Sequence, residues 1–219
     1  MCIRDSAIES YKRSRAATES GHFAGEIVPV EVKKRREKIT IDKDEEPFSV
    51  DLEKVSKLRP AFDKEGTITA ANASSINDGA ALTVVCSEEA AKKHGFTPIA
   101  RIVAQASHAG PPSWFTTAPI ACTQKLLDKA GLKVSDIGVF EINEAFAVVS
   151  MAAQKDLGIP AEKLNPFGGA VSIGHPIGAS GARILVTLLH GMQAKKEKYG
   201  VASICIGGGE ASALLVEAI

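Results

Sequence analysis

The sequence predicts a layered α/β fold built on a mixed sheet. Three observations carry that expectation. From Pro98 to the C-terminus, short apolar runs alternate with longer stretches of helical periodicity. Gly or Pro stands at many of the junctions. The 219 residues, 45% of them hydrophobic, suffice for one substantial core or two small ones. Alternating strands and helices bury their apolar faces best as layers around a sheet.

Taken in order, Ala7–Gly21 reads as a helix with Ile8, Tyr11, Ala16 and Ala17 roughly on one face, ended by Gly21 and Gly25. Ile27–Val32 is a short strand. Lys33–Glu46 is basic and then acidic, with few apolar residues; it reads as a solvated hairpin or loop, the alternative being a phosphate-binding patch. Pro47–Pro60 is irregular or a short helix. Asn72–Ala80 is small, polar and Gly/Ala-rich, which predicts a packed turn leading into a helix. Leu82–Cys86 reads as a buried strand, and Ser87 with Glu88 and Glu89 caps a helix ending at Gly95. The remaining elements are strand Ile99–Ala106, helix Pro119–Ala130, strand Ile137–Ile142, helices Ala145–Leu157 and Ala179–Lys196, and strands Val201–Ile206 and Ala211–Glu217.

Bulk properties exclude some functions. Twenty-six Lys+Arg balance 26 Asp+Glu, so there is no basic field to attract nucleic acid. No apolar run approaches the roughly 20 residues that span a bilayer. Cys2, Cys86, Cys122 and Cys205 show no C-x-x-C spacing, which points to a reduced, intracellular compartment.

Two glycine-framed motifs carry chemistry. In Gly174-His175-Pro176-Ile177-Gly178, Pro176 lacks an N–H and biases His175 toward an extended conformation at the mouth of a helix. In Cys205-Ile206-Gly207-Gly208-Gly209, a cysteine ends an apolar strand and opens onto glycines, where a backbone can approach a ligand closely. A His and a Cys at two such turns can act as base and acid on one substrate. A thiol, with an ordinary pKa of about 8.5, can be tuned toward neutrality for that task. The plainer alternatives are a histidine satisfying a turn and a cysteine filling the core. Asn143, at a strand-to-helix junction, suits an N-cap. His22, His94, His108 and His190 lack such framing and read as structural or exposed. Cys86 and Cys122 read as core residues.

With Asn72-Ala73-Ser74 and Asn143-Glu144-Ala145-Phe146-Ala147, these motifs form four blocks in order, and on them the chain from about Ser6 to Ile219 resembles the thiolase family, within it the acetyl-CoA acetyltransferases. Met1–Asp5 do not match and read as a leader. The resemblance implies the thiolase fold, an α/β/α arrangement with a mixed five-stranded sheet. It implies that residues 1–75 are a remnant of the loop region, 76–98 the tail of the N-terminal domain and 99–219 the C-terminal domain. The implied reaction condenses two acetyl-CoA to acetoacetyl-CoA plus CoA, or runs the reverse thiolysis, by a two-cysteine ping-pong mechanism. The acylated cysteine would precede residue 1, and none of the four cysteines stands in its place.

By the same resemblance, His175 activates that nucleophile and Cys205 moves a proton at the substrate α-carbon. Gly207 offers its N–H to an oxyanion, Asn143 holds a water that completes an oxyanion hole, and Phe146 walls the acyl pocket. Ser74 contacts the pantetheine arm. Phe62 and Ala70 lie near the CoA adenine and pantetheine, and Ser49, Val50, Asp51 and Lys54 complete the CoA contacts. Ala70, Ala71, Ser74 and Val171 are ligands of a K⁺ ion. No tightly bound cofactor is implied; the CoA thioester is substrate. A homodimer or homotetramer is expected at full length, mitochondrial or cytoplasmic. A broad-chain 3-ketoacyl-CoA thiolase is the enzyme alternative, and a decarboxylating ketoacyl synthase is disfavoured by Cys205. A non-catalytic CoA-binding or dimerisation fragment is the alternative of another class.

Overall fold

The first helix, α1 (Ile3–Glu19), buries Ala7, Ser10, Tyr11, Ser14 and Ala17, the three-to-four spacing of one helical face. In the computed structural model, which describes residues 2–35 and 37–219, this helix starts at Ile3 rather than at Ala7. Asp5 accepts a hydrogen bond from the Cys2 backbone N–H at 3.4 Å, and Ile3 packs beside Ala7 and Tyr11. Together they support an extra turn. The charged stretch that follows is a solvated antiparallel hairpin, β1 (Val30–Lys34) with β2 (Glu37–Ile41). Short α2 (Glu46–Ser49) lies against α1. Helix α3 (Glu88–His94) has the expected caps: Ser87 Oγ accepts from the Ala90 N–H at 3.1 Å, and Gly95 closes it at φ +67°.

The main sheet comprises β3 (Ala100–Ala109), β4 (Val139–Ile142), β5 (Tyr199–Cys205) and β6 (Glu210–Ala218), in the order β3-β6-β5-β4. β6 pairs antiparallel with both β3 and β5, and β5 pairs parallel with β4. The sheet is mixed as expected, but among the described residues it has four strands rather than five. The run Leu82–Cys86, read as a buried strand, lies beside no other strand among the described residues; Leu82, Val84 and Val85 are 79%, 76% and 68% exposed. Nor does Asn72–Ala80 lead into a helix. The Ser75 carbonyl accepts from the His175 N–H at 2.9 Å, which holds this stretch extended.

Helices α4 (Ala118–Ala130) and α5 (Ala147–Leu157) cover one face of the sheet. Cys122, Leu126, Leu127, Val149 and Ala153 pack there against Phe140, Ile142, Val201 and Leu215. A short α6 (Ala170–Ile173) lies beside α1. Helix α7 (Ser180–Lys195) covers the opposite face, with Ile184, Leu188 and Met192 against Val139, Ala202 and Val216. Strand alternation therefore sends Phe140 and Ile142 toward α4 and α5, and the row Val139, Glu141, Asn143 toward α7. That row leads to the site.

Candidate active site

His175 owes its position to Gly174. There φ is +91°, and a Cβ would stand 2.3 Å from Asn77 Oδ1, so only glycine fits between α6 and α7. The imidazole is bonded at both ends. Nδ1 lies 2.6 Å from Ser180 Oγ, and the Ser180 hydroxyl donates to the Pro176 carbonyl at 3.1 Å. With that proton committed, Nδ1–H is the donor to Ser180, and Nε2 keeps its lone pair. Asn143 Nδ2 donates to Nε2 at 3.2 Å. Burial, and then the Arg183 charge, hold the imidazole below the usual histidine range. With its Nε2 lone pair free of a proton in this hydrogen-bond arrangement, His175 can act as a base.

Asn143 is 1% exposed, and its N–H donates to the Ser203 carbonyl at 2.9 Å, which sets it beside the end of β5. It is not a cap: the residue that caps α5 is Phe146, in an extended conformation at φ −139° and ψ 151°. Phe146 therefore precedes the helix, which begins at Ala147 rather than at Ala145. Cys205 closes β5 opposite Ala211, 7% exposed. Burial pushes its thiol up to about 11, so the expected tuning toward neutrality does not occur. Beyond it the Ile206 N–H donates to the Glu210 carbonyl at 2.8 Å and the Gly209 N–H to the Ile206 carbonyl at 3.1 Å. Gly207 is left at the exposed tip with open space around it. Cys122 is a core residue, its thiol pushed up to about 11 by burial. Cys86, also read as core, is exposed.

Four residues to which the sequence reading gave no role complete the arrangement. Ser180 fixes the histidine tautomer. Glu144, 4% exposed, accepts from Ser10 Oγ at 2.7 Å and from Asn165 Nδ2 at 3.3 Å, and so ties the strand end to α1 and to the loop before α6. Gly169 makes room for it: a Cβ there would come within 2.5 Å of the carboxylate. Phe115 meets Phe146 edge-on, ring centres 6.2 Å apart, and Phe62 meets it from another side at 6.4 Å.

Ser74 lies at the Phe146 junction, where its Oγ and N–H both donate to the Ala145 carbonyl, at 2.8 and 3.0 Å. It can still accept a bond. Ser49 ends α2, and Val50, Asp51 and Lys54 form the turn after it, held by a 2.5 Å bond from Arg15 Nη2 to the Val50 carbonyl and an Asp51–Lys54 ion pair at 3.0 Å. Among the described residues, no hydrogen bond joins that turn to His175, Asn143 or Cys205. Ala71 and Val171 are buried. Val171 clusters with Ala147, whose N–H donates to the Asn72 carbonyl at 2.9 Å, so both sit near one junction. Carbonyl and hydroxyl oxygens there are hard donors of the kind an alkali cation takes. His22 stacks on Phe167, centroids 3.5 Å apart, away from this group.

Comparisons with known proteins identify the family and the fold. A family model described as thiolase, C-terminal domain, matches residues 96–218, and one described as thiolase, N-terminal domain, matches residues 4–89. An acetyl-CoA acetyltransferase of Escherichia coli K12 is 51% identical over 212 residues, covering 96% of this chain and 54% of the relative. The crystal structure of the Bacillus anthracis acetyl-CoA acetyltransferase superposes with a TM-score of 0.95 at 41% identity, covering 99% of this chain and 55% of that one. Human mitochondrial 3-ketoacyl-CoA thiolase superposes at 0.91 with 38% identity, covering 99% and 55%. The chain spans about half the length of the curated relatives it matches.

Proposed function

Because the chain belongs to the thiolase family, we propose that His175, Asn143, Cys205 and Gly207 form the proton-transfer and oxyanion part of a site that joins two acetyl-CoA units or cleaves acetoacetyl-CoA. The observation that carries this reading is the Asn143–His175 pair, with the Nε2 lone pair facing a buried amide at the end of β5. In thiolysis, His175 takes the proton of the attacking thiol while the protonated Cys205 gives its own proton to the α-carbon as the carbon–carbon bond breaks. In condensation, the Cys205 thiolate takes that proton back. Burial favours the thiol form, which suits the acid role. The Gly207 N–H and the Asn143 amide face charge that develops only during reaction. The ping-pong scheme needs a nucleophile, and we assign it to none of the four cysteines of this sequence.

Ser74, Phe62 and Ala70, with the turn of Ser49, Val50, Asp51 and Lys54, would hold CoA. Ala70, Ala71, Ser74 and Val171 would hold a K⁺ ion that stiffens this junction. The three rings of Phe62, Phe115 and Phe146 support a short acyl group over a long one, since they converge on one wall. A second reading, a non-catalytic unit that binds another chain, is favoured by the exposed apolar run of Leu82, Val84 and Val85.

One experiment separates these readings. The protein is incubated with acetyl-CoA in D₂O, and deuterium entering the acetyl methyl group is followed by mass spectrometry. Exchange needs Cys205 and the oxyanion donors but no acylated nucleophile. Exchange by the wild type that is lost in Cys205→Ala supports the proposal. Exchange that survives Cys205→Ala, or none in the wild type, sinks it.

A further inference from the structure

A polar stripe runs down the sheet-facing side of α7 beside its apolar one. Ser180, Arg183 and Thr187 stand at i, i+3 and i+7, the spacing of a single helical face. Each meets a polar partner. Ser180 Oγ holds His175 Nδ1 at 2.6 Å. Arg183 Nη1 stands 4.0 Å from Glu141 Oε2, their side chains 16% and 1% exposed. Thr187 Oγ1 donates to Glu26 Oε1 at 3.1 Å. On β4, Glu141 lies two residues below Asn143 on the same face. The result is a ladder of three rungs leading inward from the base.

The middle rung is not a closed ion pair. At 4.0 Å it exceeds hydrogen-bond length, and among the described residues Arg183 Nε and Nη1 and Glu141 Oε1 are buried without a hydrogen-bond partner. We propose that Arg183 is a positioning residue for the reaction: a fixed buried cation, one turn beyond Ser180, whose charge adds to burial in favouring the neutral His175 imidazole with its Nε2 available as base. The inference rests on the base role given above to His175.

The charged groups around this cation come from every packed element. Four of them act on it directly, Glu141 on β4, Glu144 just beyond it, Glu26 after α1 and Asp44 after β2, while Glu46 on α2 acts on Asp44 and Arg13 on α1 acts on Glu141. Burial raises the first four toward their neutral forms, Glu141 to about 8 and Glu26 to about 7, while Arg183 opposes the rise. Arginine keeps its proton throughout. Where the histidine titrates, therefore, Glu141 carries little negative charge to cancel it.

The test reads a proton, not turnover, so its failure is distinct from failure of the functional reading. The 219-residue protein is labelled with ¹³C,¹⁵N-histidine and titrated by NMR, the His175 resonance being identified by its loss in His175→Gln. Arg183→Met should raise the His175 midpoint by roughly 0.5–1 pH unit, the usual effect of removing one nearby charge. Arg183→Lys should leave it in place. Glu141→Gln should also leave it in place, because the carboxyl it replaces is already neutral there. If Arg183→Met does not fold, the double variant with Glu141→Gln removes the stranded carboxyl and should show the same rise. An unchanged midpoint in a folded Arg183→Met or double variant overturns the proposal. So does a midpoint that falls in Glu141→Gln, which would mean that an ionised Glu141 had been cancelling the cation.

Discussion

Ser180→Ala is the sharpest perturbation of the His175 arrangement, because it removes one oxygen and little else. Ser180 is 0% exposed, and its hydroxyl accepts from Nδ1–H at 2.6 Å while donating to the Pro176 carbonyl at 3.1 Å. Without it, an Nδ1–H that stays put is a buried donor with no acceptor, which costs about 1–3 kcal/mol. The ring avoids this by moving its proton to Nε2, and there it faces the Asn143 amide donor at 3.2 Å. The Asn143 side chain then turns its oxygen to the ring, and the base lone pair is gone from the site. At about 1.4 kcal/mol per factor of ten, the population with Nε2 free should fall roughly 5- to 150-fold. Long-range ¹H–¹⁵N spectra of labelled histidine report which ring nitrogen is protonated. Acetyl-methyl exchange should slow with it, because the Asn143 amide donor that serves the oxyanion has turned from its place. The reasoning fails if the alanine variant keeps Nδ1–H as its dominant form, for then Ser180 is filling space only.

Other consequences are quickly checked. Gly174→Ala forces a Cβ against Asn77 at φ +91° and should cost about 1–3 kcal/mol, lowering the melting temperature by roughly 5 °C in a chain of this size. Asn143→Ala should slow acetyl-methyl exchange by about 10²–10³-fold, the usual loss for one oxyanion donor, with CoA affinity nearly intact; unchanged exchange would remove it from the chemistry. Incubation with acetyl-CoA followed by denaturing mass spectrometry should show no acetyl group on any of the four cysteines, and a stable adduct on one of them would name the nucleophile. Stability should fall as pH rises. Burial raises Glu141 to about 8 and Glu26 to about 7, so the folded state holds more protons than the unfolded one above the ordinary carboxyl value of about 4.3. Their contribution is full below that value and lost through pH 7–8. The melting temperature should drop between pH 5 and 8.5, and Glu141→Gln should flatten the drop.

How far the sequence could be read depends on where each constraint lies along the chain. The motif residues were legible because their constraints are local. Pro176 and Gly174 shape a turn by their own backbone chemistry, and Cys205 stands where an apolar run meets glycine. The strands and helices from Ala100 onward were legible because period 2 and period 3.6 survive wherever a face is buried. The same rule misled at Leu82–Cys86. A strand pattern states what a segment would do beside a neighbour, and here it has none among the described residues. The extra turn of α1 depends on Ile3 reaching a cluster that includes Val171, far along the chain.

The site's supporting groups were out of reach for a different reason. Ser180, Arg183 and Thr187 look like ordinary helix residues, and only the register of α7 against β4 shows that each faces a partner: His175, Glu141 or Glu26. That register follows from packing Ile184 and Leu188 against Val139 and Ala202, which places the polar stripe over Glu141 and Asn143. A shift of α7 by one residue would turn the stripe by about 100° around the helix and separate all three pairs. Apolar packing of a helix on a strand thus sets which polar partner each of these side chains meets. A large-to-small change at Leu188, remote from the imidazole, should for that reason broaden or shift the His175 titration, while one at Leu126 on the opposite face of the sheet should lower stability and leave the titration where it was.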